Sequence, residues 1–300
     1  LQETQSKEFS VAAKKNVQVI PLLVFVAFVF VVGINIFNDE TQTAESGNSE
    51  IVPEANRPFS GPGYILEFAS DYNPGLAQID DLGISIVIAV DTSGSMSDLP
   101  QSGGSNPKYI EASRSLSEIV NFLEGLAHDY QKSGGLKLKV AVITFHSEVD
   151  VLYPLTEMKP ESFAQLRLVM GSADNFEPGG KTAIGKTIEK ATEILSQSGT
   201  ILKSMIVISD GENTEGPEPA DVLYAVNENR NNVTTVEYPV DTRGVLASFV
   251  GFDIDSGAFS PLADLGARVS SAADKAQLTT SLQEIFVADI TKLEAGTSSE

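Results

Sequence analysis

The stretch Ile84–Met96, ISIVIAVDTSGSM, decides how the rest of the chain is read. Its first half is a run of β-branched and aliphatic residues, apolar on both faces, which predicts a fully buried central strand of a parallel sheet. At Asp91 the polarity changes. Asp91, Ser93 and Ser95 follow as D-x-S-x-S, where the strand should end and the chain turn over the sheet edge through Gly94. Three oxygen donors at alternate positions of a tight loop can converge on one point. A hard divalent cation asks for this: Mg2+ takes octahedral oxygen coordination at roughly 2.0–2.1 Å, with few protein ligands and water completing the shell.

Further oxygens are expected on other strand ends. Thr182 lies in PGGKTAIG, just before the helical stretch Ile184 to Leu195, and Asp210 ends the buried run Ser204 to Ser209 in SMIVISDGENTEG. Both belong at the carboxyl edge of a doubly wound sheet, where ligands bind near the point at which strand order reverses. With these residues in view, the chain resembles the von Willebrand factor A (VWA) domain family. The metal-ion-dependent adhesion site of that family is D-x-S-x-S plus a distal Thr and a distal Asp, and all five positions are filled here. The resemblance implies a metal held by Ser93, Ser95 and Thr182, with Asp91 and Asp210 binding directly or through water. It also implies an open coordination place for a partner's carboxylate. Electrostatics argues the same need for a cation, because two carboxylates ~4 Å apart repel by about 4 kcal/mol at an effective dielectric of ~20.

The 300 residues leave room for one large domain plus accessory segments. A formal net charge of −21, with no basic stripe to neutralise phosphates, argues against nucleic-acid binding. The chain has no cysteine, which removes disulfides, thiolate metal sites and thiol nucleophiles together.

Val17–Phe37, VQVIPLLVFVAFVFVVGINIF, carries no charge, and at about 1.5 Å per residue it matches the ~30 Å hydrocarbon thickness. It reads as one transmembrane helix, with Pro21 tolerated in its first turns. Lys14 and Lys15 precede it and Asp39, Glu40 and Glu45 follow, so the positive-inside rule places the N-terminus in the cytoplasm and the rest in the periplasm or outside the cell. A cleaved signal peptide is the competing reading. The run is long for one, and no small-x-small site follows closely.

The expected organisation is a cytoplasmic segment 1–16, the membrane helix 17–37, a linker or stalk 38–81, a VWA domain 82–290 and a polar tail 291–300. The stalk is rich in Asn, Glu, Ser, Gly and Pro, with Tyr64 to Phe68 as a candidate edge strand. From Ile84 onward strand-like and helix-like stretches alternate, which predicts an α/β fold: a doubly wound, mostly parallel sheet with helices on both faces. Helices are expected over Tyr109 to Leu126 (Ile110, Leu116, Ile119, Val120 and Leu123 inward), Ser162 to Met170, Ile184 to Leu195, Ala220 to Asn229 and Ala276 to Ile290. Leu136 to Phe145 and Val149 to Leu155 read as a hairpin with an antiparallel edge, and Ile201 to Ser209 and Val233 to Val240 as strands. Two long connections stand out. SDLPQSGGSNP, residues 97–107, separates the first metal loop from its helix, as a partner-selecting rim or a solvated insertion. Thr242 to Pro261 would cover an edge or contact a partner.

Rival motifs have blander explanations. GKTAIGKT, Gly180 to Thr187, matches the P-loop pattern, but a phosphate cradle needs a buried strand immediately before its first glycine, and ADNFEP precedes it here. No pattern links His128 or His146 to a serine as a base. Asp91 and Ser95 could merely cap a turn, yet five matching positions on three segments speak for a site. Asn232-Val-Thr234 fits a glycosylation acceptor, though the pattern is short.

The sequence therefore leads to a single-pass membrane-anchored, non-enzymatic VWA protein. Its exterior domain is expected to bind a protein partner's Asp or Glu through Mg2+, with Mn2+ or Ca2+ as alternatives. Surface adhesion, a pilus or filament subunit, and a membrane-complex scaffold whose metal mainly stabilises it all fit.

Overall fold

A computed structural model of the chain describes Tyr64, Leu66 and residues 81–133, 136–231 and 245–297. The chain divides into two compact units, Leu1–Pro58 and Phe59–Glu300, and the described residues belong to the second. The expected membrane helix 17–37, the Val233 to Val240 strand and the Asn232 acceptor lie outside them. Among the described residues no helix is long and apolar enough to cross a membrane.

Six strands form one sheet in the spatial order β3-β2-β1-β4-β5-β6. They are β1 (Asp81–Asp91), β2 (Lys137–Phe145), β3 (Val149–Glu157), β4 (Thr200–Ser209), β5 (Val245–Phe252) and β6 (Arg268–Ala272). All neighbours are parallel except the edge pair β2 and β3, which is the expected hairpin. Strand order reverses beside β1, where the chain leaves β2 on one side and resumes with β4 on the other.

The strand alternation of β1 feeds two cores. Ile84, Ile86, Ile88 and Val90 face one layer, where α1 (Lys108–Ser133), α2 (Pro160–Gly171) and α6 (Lys275–Thr297) pack. Val87 and Ala89 face the other, against α3 (Ile184–Ser196), α4 (Pro219–Asn231) and the short α5 (Ser260–Asp264). Each fully buried Ile or Val side chain contributes about 1.5–3 kcal/mol, so the central strand by itself supplies a large part of the drive to fold. Ser85 is the one polar residue in that run, and it accepts a hydrogen bond from Thr200 Oγ1 at 2.8 Å. Leu66 is buried in the second core, so apolar packing reaches back into the stretch read as a stalk.

Three expectations change. Thr242 to Pro261 is not a long connection, because Val245–Phe252 is strand β5, paired to β4 from Lys203↔Val245 to Ser209↔Gly251. VLASFVGF mixes small residues with large ones, and the sheet buries it because β4 and β6 flank it on both sides. Ile110 is only half-buried on α1, where Lys108 and Ala112 turn inward instead. α6 runs on to Thr297, through most of the expected tail.

Candidate functional site

The carboxyl ends of β1 and β4 meet at the switch point, and each presents an aspartate. Asp91, the last residue of β1, is fully buried. Its Oδ1 accepts from the Ser93 N–H at 2.6 Å and its Oδ2 from Ser209 Oγ at 2.5 Å. The loop then tightens into a 3-10 turn over Gly94–Ser97. This sets Ser93 Oγ 3.1 Å from Ser95 Oγ, and Ser95 Oγ donates to Asp210 Oδ1 at 2.7 Å. Four of the five expected residues are thus joined by hydrogen bonds, Asp91 to Ser93 through the Ser93 N–H, and Ser93, Ser95 and Asp210 through their side-chain oxygens.

Thr182 is brought in through its backbone. Its N–H donates to Thr214 Oγ1 at 2.9 Å, and its carbonyl accepts from Thr214 N–H and Glu215 N–H at 2.8 and 3.1 Å. Asn213 Oδ1 caps the start of α3 by accepting from Ile184 N–H at 2.8 Å, so the loop after β4 clamps this whole segment. Thr182 Oγ1 lies 4.0 Å from where a β-carbon would stand on Gly211, the neighbour of Asp210. The same segment is pinned to the Asp91 loop. Gly94 N–H donates to Gly180 O at 3.2 Å, and Gly179 N–H to Thr92 O at 2.7 Å. Gly180 sits at φ 73, in the left-handed region that glycine adopts without steric cost.

Burial pushes the Asp91 carboxyl up to about 6, against the hydrogen bonds from Ser209 and Ser93, and the nearby Asp210 charge adds to the rise. A buried carboxylate held in this way is short of positive charge. Its neighbour Asp210 has a cation of its own: Lys108 Nζ lies 3.0 Å from Asp210 Oδ2 and 3.4 Å from Asp253 Oδ2. Burial works against the Lys108 ammonium, but its bond to Asp210 and the charges of Asp210 and Asp253 outweigh burial and hold its pKa above the ordinary lysine value.

Sequence reasoning missed Ser209, Lys108 and Asp253. Ser209 was legible as the last residue of a strand run, directly before Asp210. Asp253 directly follows β5, in the stretch whose sequence reads as a connection. Lys108 carried no signal, since a lysine opening an amphipathic helix normally points to water.

The donor set fits a hard divalent cation: two carboxylates and three hydroxyls, all oxygen, on loops fixed to one another by backbone hydrogen bonds. Among the described residues there is no group of three or more His, Cys, Asp or Glu that could hold a metal, so any site rests on these hydroxyls. The rival motifs find other employment. A 3-10 turn, Ala173–Phe176, and a loop precede α3, so the strand a phosphate cradle requires is absent. Lys186 Nζ donates to Ser147 O at 2.9 Å, and Thr187 Oγ1 to Ala183 O at 2.8 Å. His146 Nδ1 accepts from Glu148 N–H at 3.3 Å, in the turn between β2 and β3.

The chain is thus a doubly wound α/β domain with an aspartate–serine cluster at its switch point. The von Willebrand factor type A domain family matches residues 85–280, and the chain belongs to that family. No curated protein matches it significantly. Among solved structures, a mutant of the PilB minor pilin from Streptococcus sanguinis is similar at 12% identity and TM-score 0.52, over 73% of this chain and 63% of that one. A von Willebrand factor type A protein from Catenulispora acidiphila is similar at 20% identity and TM-score 0.49, over 68% of this chain and 42% of that one. The conserved hypothetical protein BatB from Bacteroides thetaiotaomicron is similar at 21% identity and TM-score 0.47, over 71% of this chain and all of that one. The chain thus spans less than two thirds of the first two, and at these identities the likeness is one of fold.

Proposed function

We propose that this domain binds a protein partner through a divalent cation, Mg2+ first among the candidates, held by Asp91, Ser93, Ser95, Thr182 and Asp210. The observation that carries the reading is the connected chain of oxygens from Ser209 through Asp91 on one side and from Ser93 through Ser95 to Asp210 on the other, at the carboxyl edge of β1 and β4. When bound, the cation supplies positive charge between two carboxylates and an open place for a further oxygen ligand. The protein's residues do the rest. The Thr214 and Asn213 contacts hold the Thr182 segment in place, and the loop at 98–107 forms the rim a partner meets. The partner group is an Asp or Glu side chain.

We infer that the work of the site is binding and not turnover: Ser93 Oγ lies 3.1 Å from Ser95 Oγ, which donates to Asp210 Oδ1 at 2.7 Å, so the hydroxyls are gathered with carboxylates as the ligands of a hard cation are. In the cell the domain stands outside the cytoplasm on the anchor at residues 17–37, in surface adhesion or filament assembly. The test is recovery of partners from native membranes with and without EDTA, using the wild-type chain and Asp210→Ala. Partners recovered by wild type with Mg2+ alone are expected. Equal recovery in every arm would overturn the cation bridge, and an unfolded Asp210→Ala chain beside EDTA-insensitive recovery would assign the metal a stabilising role instead.

A further inference from the structure

The oxygens of Asp210 have different neighbours. Oδ1 accepts from Ser95 within the proposed cation site, while Oδ2 accepts from Lys108 Nζ at 3.0 Å. Lys108 opens α1 and is only 7% exposed, so its ammonium is a fixed charge inside the domain. Asp253 Oδ2 lies 3.4 Å from the same nitrogen. Asp253 is buried too, and it adopts φ 61, a left-handed conformation that a residue other than glycine takes at a cost of about 1–2 kcal/mol. Its carboxylate also accepts the Gln101 N–H, at 3.0 Å to each oxygen, and Ser102 Oγ donates to Ala273 O at 2.6 Å. The loop between the first site residues and α1 is therefore docked at its middle onto the ends of β5 and β6, and closed at its base by Lys108 N–H donating to Asp98 O at 2.9 Å.

Resting on the cation reading above, we propose that Lys108 is a positioning residue that sets the strength of the cation site. It is a tethered positive charge shared between Asp210 and Asp253, and that sharing fixes how much of the Asp210 charge remains for a cation. Two buried carboxylates, Asp210 and Asp253, share one ammonium, and the buried Asp91 beside Asp210 adds a third negative charge, which leaves a formal deficit that one divalent cation balances. Asp253 has two jobs in this arrangement. It draws Lys108 away from Asp210, and it fastens the rim loop to the same ammonium, so the metal ligand and the partner-facing loop share one lysine.

The two neighbours of Asp210 then predict opposite effects. Removing the ammonium leaves Asp210 uncompensated and strengthens cation binding. Neutralising Asp253 turns Lys108 wholly onto Asp210 and weakens it. At an effective dielectric of ~20, a unit charge this close to a divalent site is worth about tenfold or more in affinity. A lysine that only packed would shift both variants the same way, through loss of fold.

The experiment is calorimetric titration of Mn2+ into the full chain as wild type, Lys108→Met, Asp253→Asn and the distant control Lys190→Met, whose ammonium pairs with Glu193 on α3. Lys108→Met is expected to bind about tenfold tighter, Asp253→Asn about tenfold weaker, and Lys190→Met within about twofold of wild type. Absence of Mn2+ binding by the wild-type chain would defeat the cation reading itself. Wild-type binding with Lys108→Met and Asp253→Asn unchanged, or shifted in the same direction, would overturn the role of Lys108 alone. If Lys108→Met does not fold, Asp253→Asn decides: weaker binding supports the assignment, and unchanged or tighter binding overturns it.

Discussion

Ser209 Oγ donates to Asp91 Oδ2 at 2.5 Å, a contact between the last residues of two neighbouring parallel strands. The register places them side by side, since Val90 pairs with Ile208. A hydrogen bond to a buried charged group is worth about 1.5–3 kcal/mol. Ser209→Ala removes the donor and leaves Asp91 with only its Ser93 contacts, so urea unfolding in EDTA should show a loss of about 2 kcal/mol. No change in the urea midpoint would mean that the contact carries no energy.

The raised Asp91 carboxyl sets a pH dependence for the cation-free domain. Its pKa is about 6 folded, against 3.8 for an unperturbed aspartate. The folded state therefore holds its proton to higher pH, and the charge costs stability above about pH 6. Stability falls as pH rises through the window between the two values and recovers on acidification. The full penalty is about 3 kcal/mol, of which about 1 kcal/mol is relieved between pH 7 and 5. Asp91→Asn should flatten that part of the profile relative to wild type in EDTA. With saturating Mn2+ the dependence reverses, because the cation competes with the proton for the same carboxylate.

Gly185, the second residue of α3, should not accept a side chain. A β-carbon there would stand 2.1 Å from the Pro217 carbonyl oxygen, which is backbone and cannot swing away. Gly185→Ala must separate α3 from the 213–217 loop that clamps Thr182, lowering both the melting temperature and Mn2+ affinity. Gly125, exposed in α1 with nothing within 4 Å, is the contrast. Gly125→Ala should raise stability by about 0.5–1 kcal/mol and leave Mn2+ affinity alone.

The terminal helix is held by one fully buried carboxylate. Asp289 Oδ2 accepts from Ser204 Oγ at 2.7 Å on β4, and Oδ1 from Arg268 Nη1 at 3.1 Å on β6. A hydrogen bond to a buried charged group is worth about 1.5–3 kcal/mol, and Arg268, 34% exposed, keeps part of its hydration when Asp289 is lost, so removing both contacts costs about 3 kcal/mol. Asp289→Ala should approach that loss in chemical unfolding, with faster amide exchange across α6. Asp289→Asn keeps an acceptor for Ser204 and should lose less.

Much of the fold was legible because its elements announce themselves locally. ISIVIAV is apolar on both faces, and such a run has nowhere to go but the middle of a covered sheet. Ile184, Ile188, Ala191 and Leu195 recur at helical spacing and all four are buried. β5 was not legible in the same way. VLASFVGF is short and interrupted by small residues, and it becomes a strand only because β4 and β6 offer it backbone partners on both sides. Misreading it as a connection also hid Asp253, whose meaning depends on being at a strand end.

The five oxygen-bearing candidates could be named from the sequence, because residue types and motif spacing are local properties. So could the doubly wound plan, which follows from alternating periodicities. Only the tertiary structure decided that Ser209 would face Asp91, and that a lysine at the mouth of α1 would turn inward to stand between Asp210 and Asp253. Charge pairing across 102 positions of chain leaves no trace in composition or spacing. It exists only once the sheet has brought the ends of β1, β4 and β5 to one edge and excluded the water that would otherwise have solvated the lysine.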